Sequence, residues 1–455
     1  MIIRKISSEG ISHNSYFIST GGLAAVVDPR RDCKVYLELS GELGVRITHI
    51  FETHRNEDYV IGSLELARRT GAAVYHGHRM DFSYGNKVKE GDSFLLDAVE
   101  IKVLETPGHT FESISLVVTD TEVSGVPYAV CTGDALFAGE VGRTDFFGPE
   151  RRAEVSELLY DSIWQKILPL GDGTIVLPAH GAGSVCGSEI SDHELTTIGY
   201  EKKTNPRLAL SKEDFIRKKV TEHHYLPPYF KRMEMLNKEG ASVLHHLPDL
   251  LPYSAKEIKG LLGKAQILDI RSPTSFAGGH IPGSLSIWKD GIPAFAGWVL
   301  TYDTPIILID DFNCGLAKIS RHFVRLGYDN LQGYLAGGFP AYFKSGSRIG
   351  RIEAWSVHDL AGKIGGGDIF ILDVRSIASV RNAGRIPGAH HIYIGELPGR
   401  LREVPRDRMV AVYCDAGFKG SLAASILARN GYPRLANIIG GMTGYINAGY
   451  PIEKE

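Results

Sequence analysis

From residue 1 to about 205, short apolar runs alternate with polar turns. The runs Leu23–Asp28, Ile47–Phe51, Ile101–Leu104, Ile114–Val118, Tyr128–Cys131 and Thr174–Leu177 have the length and flanking residues of strands. Residues 151–168 carry Val155, Leu158, Leu159, Ile163 and Ile167 at helical spacing, which predicts a helix with one buried face. Four of the strands stop at a short polar motif: Glu52-Thr53-His54, Thr106-Pro107-Gly108-His109, Thr132-Gly133-Asp134 and Pro178-Ala179-His180. Apolar strands that each deliver one His or Asp at their end predict a metal site built on loops over a buried sheet.

The pattern changes between about 205 and 260. This stretch is charged and carries His223-His224, Pro227-Pro228 and His245-His246, and it reads as a partly helical connector without chemistry. The last 200 residues then contain an internal repeat, with ILDIRSPTSFAGGHIPGSLSI beginning at Ile267 and ILDVRSIASVRNAGRIPGAHHI at Ile371. Each copy is an apolar strand closed by Asp-x-Arg, a polar stretch and an Ile-Pro-Gly turn. A second strand follows in each, Ile306–Ile309 and Val410–Tyr413, and then a helical pattern. Both copies pass through Gly-Tyr (Gly327-Tyr328, Gly431-Tyr432) to Gly-Gly (Gly337-Gly338, Gly440-Gly441). Strands each followed by helix, at a period near 104 residues, predict two small parallel-sheet α/β domains.

Composition narrows the class. A chain of 455 residues has room for about three domains. With 43% hydrophobic and 23% charged residues it has the balance of a folded globular protein. Lys plus Arg is 50 against 53 for Asp plus Glu, a net charge of −3, which argues against nucleic acid as a partner. Five cysteines make no disulfide framework in so long a chain and are read as reduced, with Cys33 and Cys131 as packing residues. No stretch reaches 18 apolar residues and the opening lacks a signal-peptide core, so a cytoplasmic protein without a membrane partner is expected.

The ordered motifs resemble the metallo-β-lactamase superfamily, whose metal site begins with His-x-His-x-Asp-His. Here that stretch reads His54-Arg55-Asn56-Glu57-Asp58-Tyr59, so the first His and the Asp are kept while Asn56 and Tyr59 replace two metal-binding histidines. What remains is His54, His109 and Asp134, two imidazoles and one carboxylate, a ligand set associated with non-haem Fe(II) enzymes that bind O2. Zinc lacks the redox chemistry to activate oxygen. The retained set is similar to that of the persulfide dioxygenases, as are Gly142-Arg143-Thr144-Asp145-Phe146 and Thr204-Asn205-Pro206-Arg207-Leu208. The resemblance covers residues 1 to about 215 and implies one Fe(II) per chain and a reaction of a low-molecular-weight persulfide with O2, giving sulfite and free thiol. His180 stands at the superfamily's last ligand position, either beside the ligands or as a structural loop residue. Asp58 is expected to orient a ligand, Arg143 to hold a substrate carboxylate or serve the fold, and Cys186 to relay sulfur or simply be buried.

The last unit carries Cys414-Asp415-Ala416-Gly417-Phe418-Lys419-Gly420 between a strand and a helix. Backbone amides of such a loop form an anion nest, and the helix N-terminus adds positive charge, both favouring a thiolate or persulfide at Cys414. Ser421 is a candidate cap of that helix. The loop resembles a rhodanese active site with Cys414 as the sulfur-accepting nucleophile, and it ends in Lys419 where the family has Arg, which removes a bidentate fork. The earlier copy has Asp310 in the cysteine's place, with a following loop read as about two residues shorter. A carboxylate repels anionic sulfur, so this copy is expected to be inactive, and Cys314 to be no nucleophile.

The resulting expectation is an α/β chain: a metallo-β-lactamase-type αββα sandwich at 1–215, a connector at 216–258, a degenerate rhodanese-like domain at 259–350 and a rhodanese domain at 351–455. It implies persulfide oxidation coupled to formation or use of thiosulfate by a homo-oligomer. Two alternatives are a glyoxalase-II-like thioester hydrolase with two metals, and a sulfur carrier that uses Cys414 alone.

Overall fold

The computed structural model describes residues 1–187 and 189–454. The chain divides into two compact units, Met1–Leu247 with Val324–Gly327, and the rest from Pro248 onward.

The first unit contains two six-stranded sheets. One runs Ile2–Ser8, His13–Thr20, Leu23–Val27, Arg46–Glu52, Ala73–Gly77 and Asn86–Val88 in spatial order. The other runs Thr196–Thr197, Ile175–Pro178, Ala129–Gly133, Ile114–Asp120, Val99–Glu105 and Ser93–Leu96. Because side chains alternate across a strand, each inner strand feeds two layers. Tyr16, Ile18, Ala25, Val27 and Phe51 meet Ile101, Val103, Leu116, Val118 and Cys131 between the sheets. Their neighbours Phe17, Val26 and Ile50 face outward into a layer shared with Tyr36 and Leu66 of the helices Lys34–Leu43 and Ser63–Thr70. On the opposite side Val117, Val130 and Val176 pack with Leu159, Ile163 and Phe215. Both sheets are thus covered, as the expected αββα sandwich requires. The helix read at 151–168 is α-helical over Arg152–Ser162 and continues as a π turn at Ile163–Ile167.

The second unit holds two five-stranded sheets whose recorded pairings are all parallel. Their order is the same: Leu251–Tyr253, Leu331–Leu335, Ile306–Ile309, Gln266–Asp269, Leu285–Ser286, and then Glu353–Trp355, Leu435–Ile438, Met409–Tyr413, Ile369–Asp373, His390–His391. The Asp-x-Arg signature is structural in both. Arg271 grips Asp269 at 2.9 and 2.7 Å and donates to the Gly279 carbonyl, while Arg375 grips Asp373 at 3.0 and 2.6 Å and donates to that of Gly384. A buried guanidinium needs such a fork and acceptor to offset its desolvation.

The connector expectation requires correction at both ends. Leu251–Tyr253 pairs with Leu331–Leu335 and so belongs to the sheet of the middle repeat. Residues 216–247 fold within the first unit, where the helix Phe230–Glu239 lies on the loop after His54. The buried Asn237 accepts from the Ile61 amide at 2.9 Å and donates to the carbonyls of Asn56 and Tyr59 at 2.6 and 2.8 Å. One amide thus satisfies three backbone groups of an irregular buried loop.

Candidate functional site

Three strand ends converge on one point. The strand Arg46–Glu52 ends just before His54, Val99–Glu105 before Thr106-Pro107-Gly108-His109, and Ala129–Gly133 directly before Asp134. The rings of His54 and His109 stand nearly perpendicular with centroids 5.1 Å apart. Nε2 of His54 lies 3.7 Å, and Nε2 of His109 3.4 Å, from Oδ2 of Asp134. All three residues are buried, and among the described residues these three atoms have no hydrogen-bond partner.

Hydrogen bonding assigns what those atoms offer. Nδ1 of His109 lies 3.0 Å from the Arg143 carbonyl, which can only accept, so Nδ1 carries a proton and, in the neutral ring, Nε2 presents a lone pair. Burial opposes charge on this ring, but the facing Asp134 and Glu57 carboxylates outweigh it and raise it above its ordinary value. The Thr53 hydroxyl donates to Asp28 Oδ2 at 2.7 Å and therefore accepts from His54 Nδ1 at 2.9 Å. His54 Nε2 is likewise bare. Two lone pairs and a carboxylate oxygen that converge without a donor among them fit a metal ion, with ring orientations set by outer partners. Burial pushes His54 down to about 4, which keeps it neutral and able to ligate at pH 7. Burial would raise Asp134, but the imidazoles of His180, His54 and His109 outweigh it and hold the carboxyl well below its ordinary range.

The two altered motif positions do other work. Asn56 Nδ2 donates to the His54 carbonyl at 3.2 Å. The Tyr59 ring lies 4.1 Å from that of His13, and its hydroxyl is buried. Neither offers an imidazole for a second ion.

The neighbouring candidates separate clearly. His180 Nδ1 lies 2.7 Å from Asp134 Oδ1 and its Nε2 3.0 Å from Asp58 Oδ2, so the ring bridges the two carboxylates. Cys186 Sγ falls within 4.8 Å of ligand atoms of His109 and Asp134, and also of His180 and Asp58. Burial, then the carboxylates of Asp58, Asp134 and Glu57, push its thiol well up. Arg143 is corrected. Its fork is closed on Asp145 at 2.7 and 2.8 Å, the remaining donors reach the carbonyls of Val185 and Tyr225, and the group lies over the Phe146 ring. The guanidinium is thereby committed within the fold, and it is the Arg143 carbonyl that serves the site by orienting His109.

The sequence reading passed over Glu57, which is fully buried with Oε2 3.5 Å from His109 Nε2. It also passed over Asp28 and Asn237, which brace Thr53 and the following loop. A carboxylate between Asn56 and Asp58 was visible, but only the folded loop shows that it turns inward.

In the second unit Cys414 follows the strand Met409–Tyr413 and is buried. The Gly417 amide donates to Cys414 Sγ at 3.1 Å, and Gly417 takes φ of 95°, the left-handed turn that starts the helix Phe418–Arg429. A Cβ on Gly420 would meet Asn437 Oδ1 at 2.3 Å, and that amide in turn donates to the Gly417 carbonyl at 3.0 Å. Lys419 pairs with Asp415 at 2.6 Å across the loop that includes Ala416. Ser421 is not the cap, because the helix has already begun at Phe418; its hydroxyl lies 2.9 Å from that of Ser286. In the earlier copy, Asp310 pairs with Lys289 at 2.9 Å and accepts the Cys314 amide at 3.2 Å, while Cys314 is exposed. The loop here is not shorter. Asp310 stands as far before Gly327-Tyr328 as Cys414 before Gly431-Tyr432, but the helix begins only at Leu316. Positive φ at Asn313 and Gly315 delays it.

The Metallo-beta-lactamase superfamily matches residues 9–180, and the Rhodanese-like domain matches residues 254–345 and 356–448. The mitochondrial persulfide dioxygenase of Mus musculus is 30% identical over 216 residues, 45% of this chain and 73% of the relative. A hydroxyacylglutathione hydrolase of Haemophilus influenzae is 28% identical over 207 residues, 41% of this chain and 87% of the relative. A crystal structure of a metallo-beta-lactamase from Staphylococcus aureus subsp. aureus COL superposes with a TM-score of 0.65 at 29% identity, covering 74% of this chain and 98% of that one.

Proposed function

Because the chain belongs to the persulfide dioxygenase family of the metallo-beta-lactamase superfamily and carries two rhodanese-like domains behind it, we propose that it oxidises a low-molecular-weight thiol persulfide with O2 and couples this to sulfur transfer at Cys414. The balanced reaction takes persulfide, O2 and water to thiol and sulfite. The observation that carries the reading is the convergence of three ligand atoms, from His54, His109 and Asp134, beside a loop where Asn56 and Tyr59 replace two of the superfamily's metal-binding histidines.

One Fe(II) held by these three side chains would supply the redox chemistry that a reaction with O2 requires. The surrounding residues do the rest. Thr53 and the Arg143 carbonyl fix the two imidazoles, while His180 and Asp58 hold the Asp134 carboxylate. Burial keeps bulk water from the site. A cleft of about 620 Å³ borders His180 and is lined by Lys5, Ser12, Asn14 and His193, donors that suit the polar tail of a thiol. At Cys414, the Gly417 amide and the helix N-terminus stabilise anionic sulfur. The thiolate takes the outer sulfur of a thiol persulfide and releases the thiol, and the Cys414 persulfide passes that sulfur to sulfite, forming thiosulfate and restoring the thiolate.

The test is oxygen uptake by iron-loaded protein given glutathione, coenzyme A or cysteine persulfide. Wild type consumes O2 with at least one of them and His54→Ala does not; inactivity of the wild type with all three ends the reading. The thioester-hydrolase alternative, favoured by the hydrolase relative, predicts two metals per chain, and the proposal predicts one.

A further inference from the structure

We propose that Glu57 is a fourth protein ligand of the metal centre, held in place by Arg55. The inference deepens the reading above and rests on it for the presence of a metal. Glu57 is fully buried, and its two oxygens are in different situations. Oε1 accepts from Arg55 Nη2 at 3.0 Å, whereas Oε2 has no hydrogen-bond partner and lies 3.5 Å from the bare Nε2 of His109. Ligand atoms of His54, Glu57 and His109 all lie within 4.8 Å of one another.

Atoms bound about 2.1 Å from one ion stand about 3.0 Å apart as octahedral neighbours and about 3.4 Å apart in a tetrahedron. The observed separations are 3.7, 3.4 and 3.5 Å for His54 to Asp134, His109 to Asp134 and His109 to Glu57; the second matches the tetrahedral spacing and the other two are somewhat wider, a gap that a small inward movement of the side chains would close. A carboxylate oxygen that faces an imidazole nitrogen in a dry site needs a positive charge between them, supplied by a proton on the ring or by a metal ion that displaces it. Arg55 is itself fixed, since its guanidinium reaches Glu234 at 3.5 Å and its amide donates to Glu112 at 3.0 Å. By holding the outer oxygen, it leaves the inner one aimed at the centre. Asp58, the other carboxylate of the loop, turns instead toward His180, with Oδ2 3.0 Å from its Nε2. A second carboxylate would add negative charge to the site, which favours a hard divalent ion.

The full-length protein is prepared metal-free as wild type, Glu57→Gln, Glu57→Ala, Arg55→Ala and His54→Ala, and each form is checked for folding by thermal unfolding. Affinity for Fe(II) and Co(II) is read by chelator competition, and ligand number by the visible absorption of the Co(II) forms. Both Glu57 variants should bind at least tenfold more weakly than wild type and shift the Co(II) band. Arg55→Ala, which loses the ion pair and keeps the ligand, should retain the band. Folded Glu57 variants with wild-type affinity and band overturn the inference and leave the three-ligand site standing, as does an Arg55→Ala band identical to theirs. A wild type that binds neither ion overturns this inference together with the functional reading.

Discussion

The ring of His180 holds Asp134 from behind: its Nδ1 lies 2.7 Å from Oδ1, while Oδ2 of the same carboxylate faces His54 and His109. The ligand is thereby clamped through one oxygen and free to bind through the other. Its charge is held by the same ring, foremost among the three imidazoles that overcome the effect of burial.

Removing that clamp should weaken the centre without emptying it of ligands. His180→Ala is expected to lower metal affinity about 10- to 100-fold, as loss of an orienting partner does. Chelator competition checks this, with melting of the metal-free form as a control for folding.

Asn237 tests whether residues 216–247 serve the site. Asn237→Ala strips three backbone groups of the loop after His54 of their partners, and at about 1–3 kcal/mol for each buried unpaired group a loss of about 3 kcal/mol or more is expected. Urea unfolding measures the loss. A variant as stable as wild type that binds metal equally well would contradict the role given to this helix.

Glu222 sets a pH dependence. Burial acts to raise it, but hydrogen bonds and charges of His224, Lys219 and Arg207 outweigh this and bring it to about 2. A carboxyl lower in the folded than in the unfolded chain stabilises fully above its ordinary value near 4.5 and loses that contribution as pH falls toward about 2. At roughly 1.4 kcal/mol per pH unit the contribution is at most about 3 kcal/mol. Stability curves at pH 7 and pH 3.5 should therefore show Glu222→Gln well below wild type at the first and closer to it at the second.

Cys414→Ser separates the two chemistries. It should abolish sulfur transfer between thiosulfate or sulfite and a thiol, and oxygen uptake with a persulfide should survive at least in part. Loss of both activities in a folded, metal-loaded variant would favour a carrier that depends on Cys414 alone.

Much of the fold was legible because its signals are local. The runs around Ile47–Phe51 and Ile114–Val118 are strands, since burial on both faces demands continuous apolar residues. The Asp-x-Arg and Gly-Tyr repeats appear as two sheets of one order because each motif closes on its own strand and turn. The failures are equally specific. Arg143 looked available to a substrate, but the strength of an arginine fork depends on which carboxylate reaches it, and Asp145 does. The charged stretch after Thr221 looked like solvated linker, yet its apolar Phe230 and Met233 are buried. The late helix after Asp310 depends on backbone angles at Asn313 and Gly315 that residue type alone does not dictate.

The order of residues by itself determined which strands form, which of them end in His or Asp, and that the C-terminal half is one motif used twice. Those properties follow from apolar periodicity and turn chemistry acting over a few neighbours. Only the tertiary structure decided that His54, His109 and Asp134 share one centre, that Glu57 faces inward, and that Asn237 secures their loop from far along the chain. A lone pair acquires its meaning from what stands opposite it, and the residues opposite are brought there by the packing of two sheets.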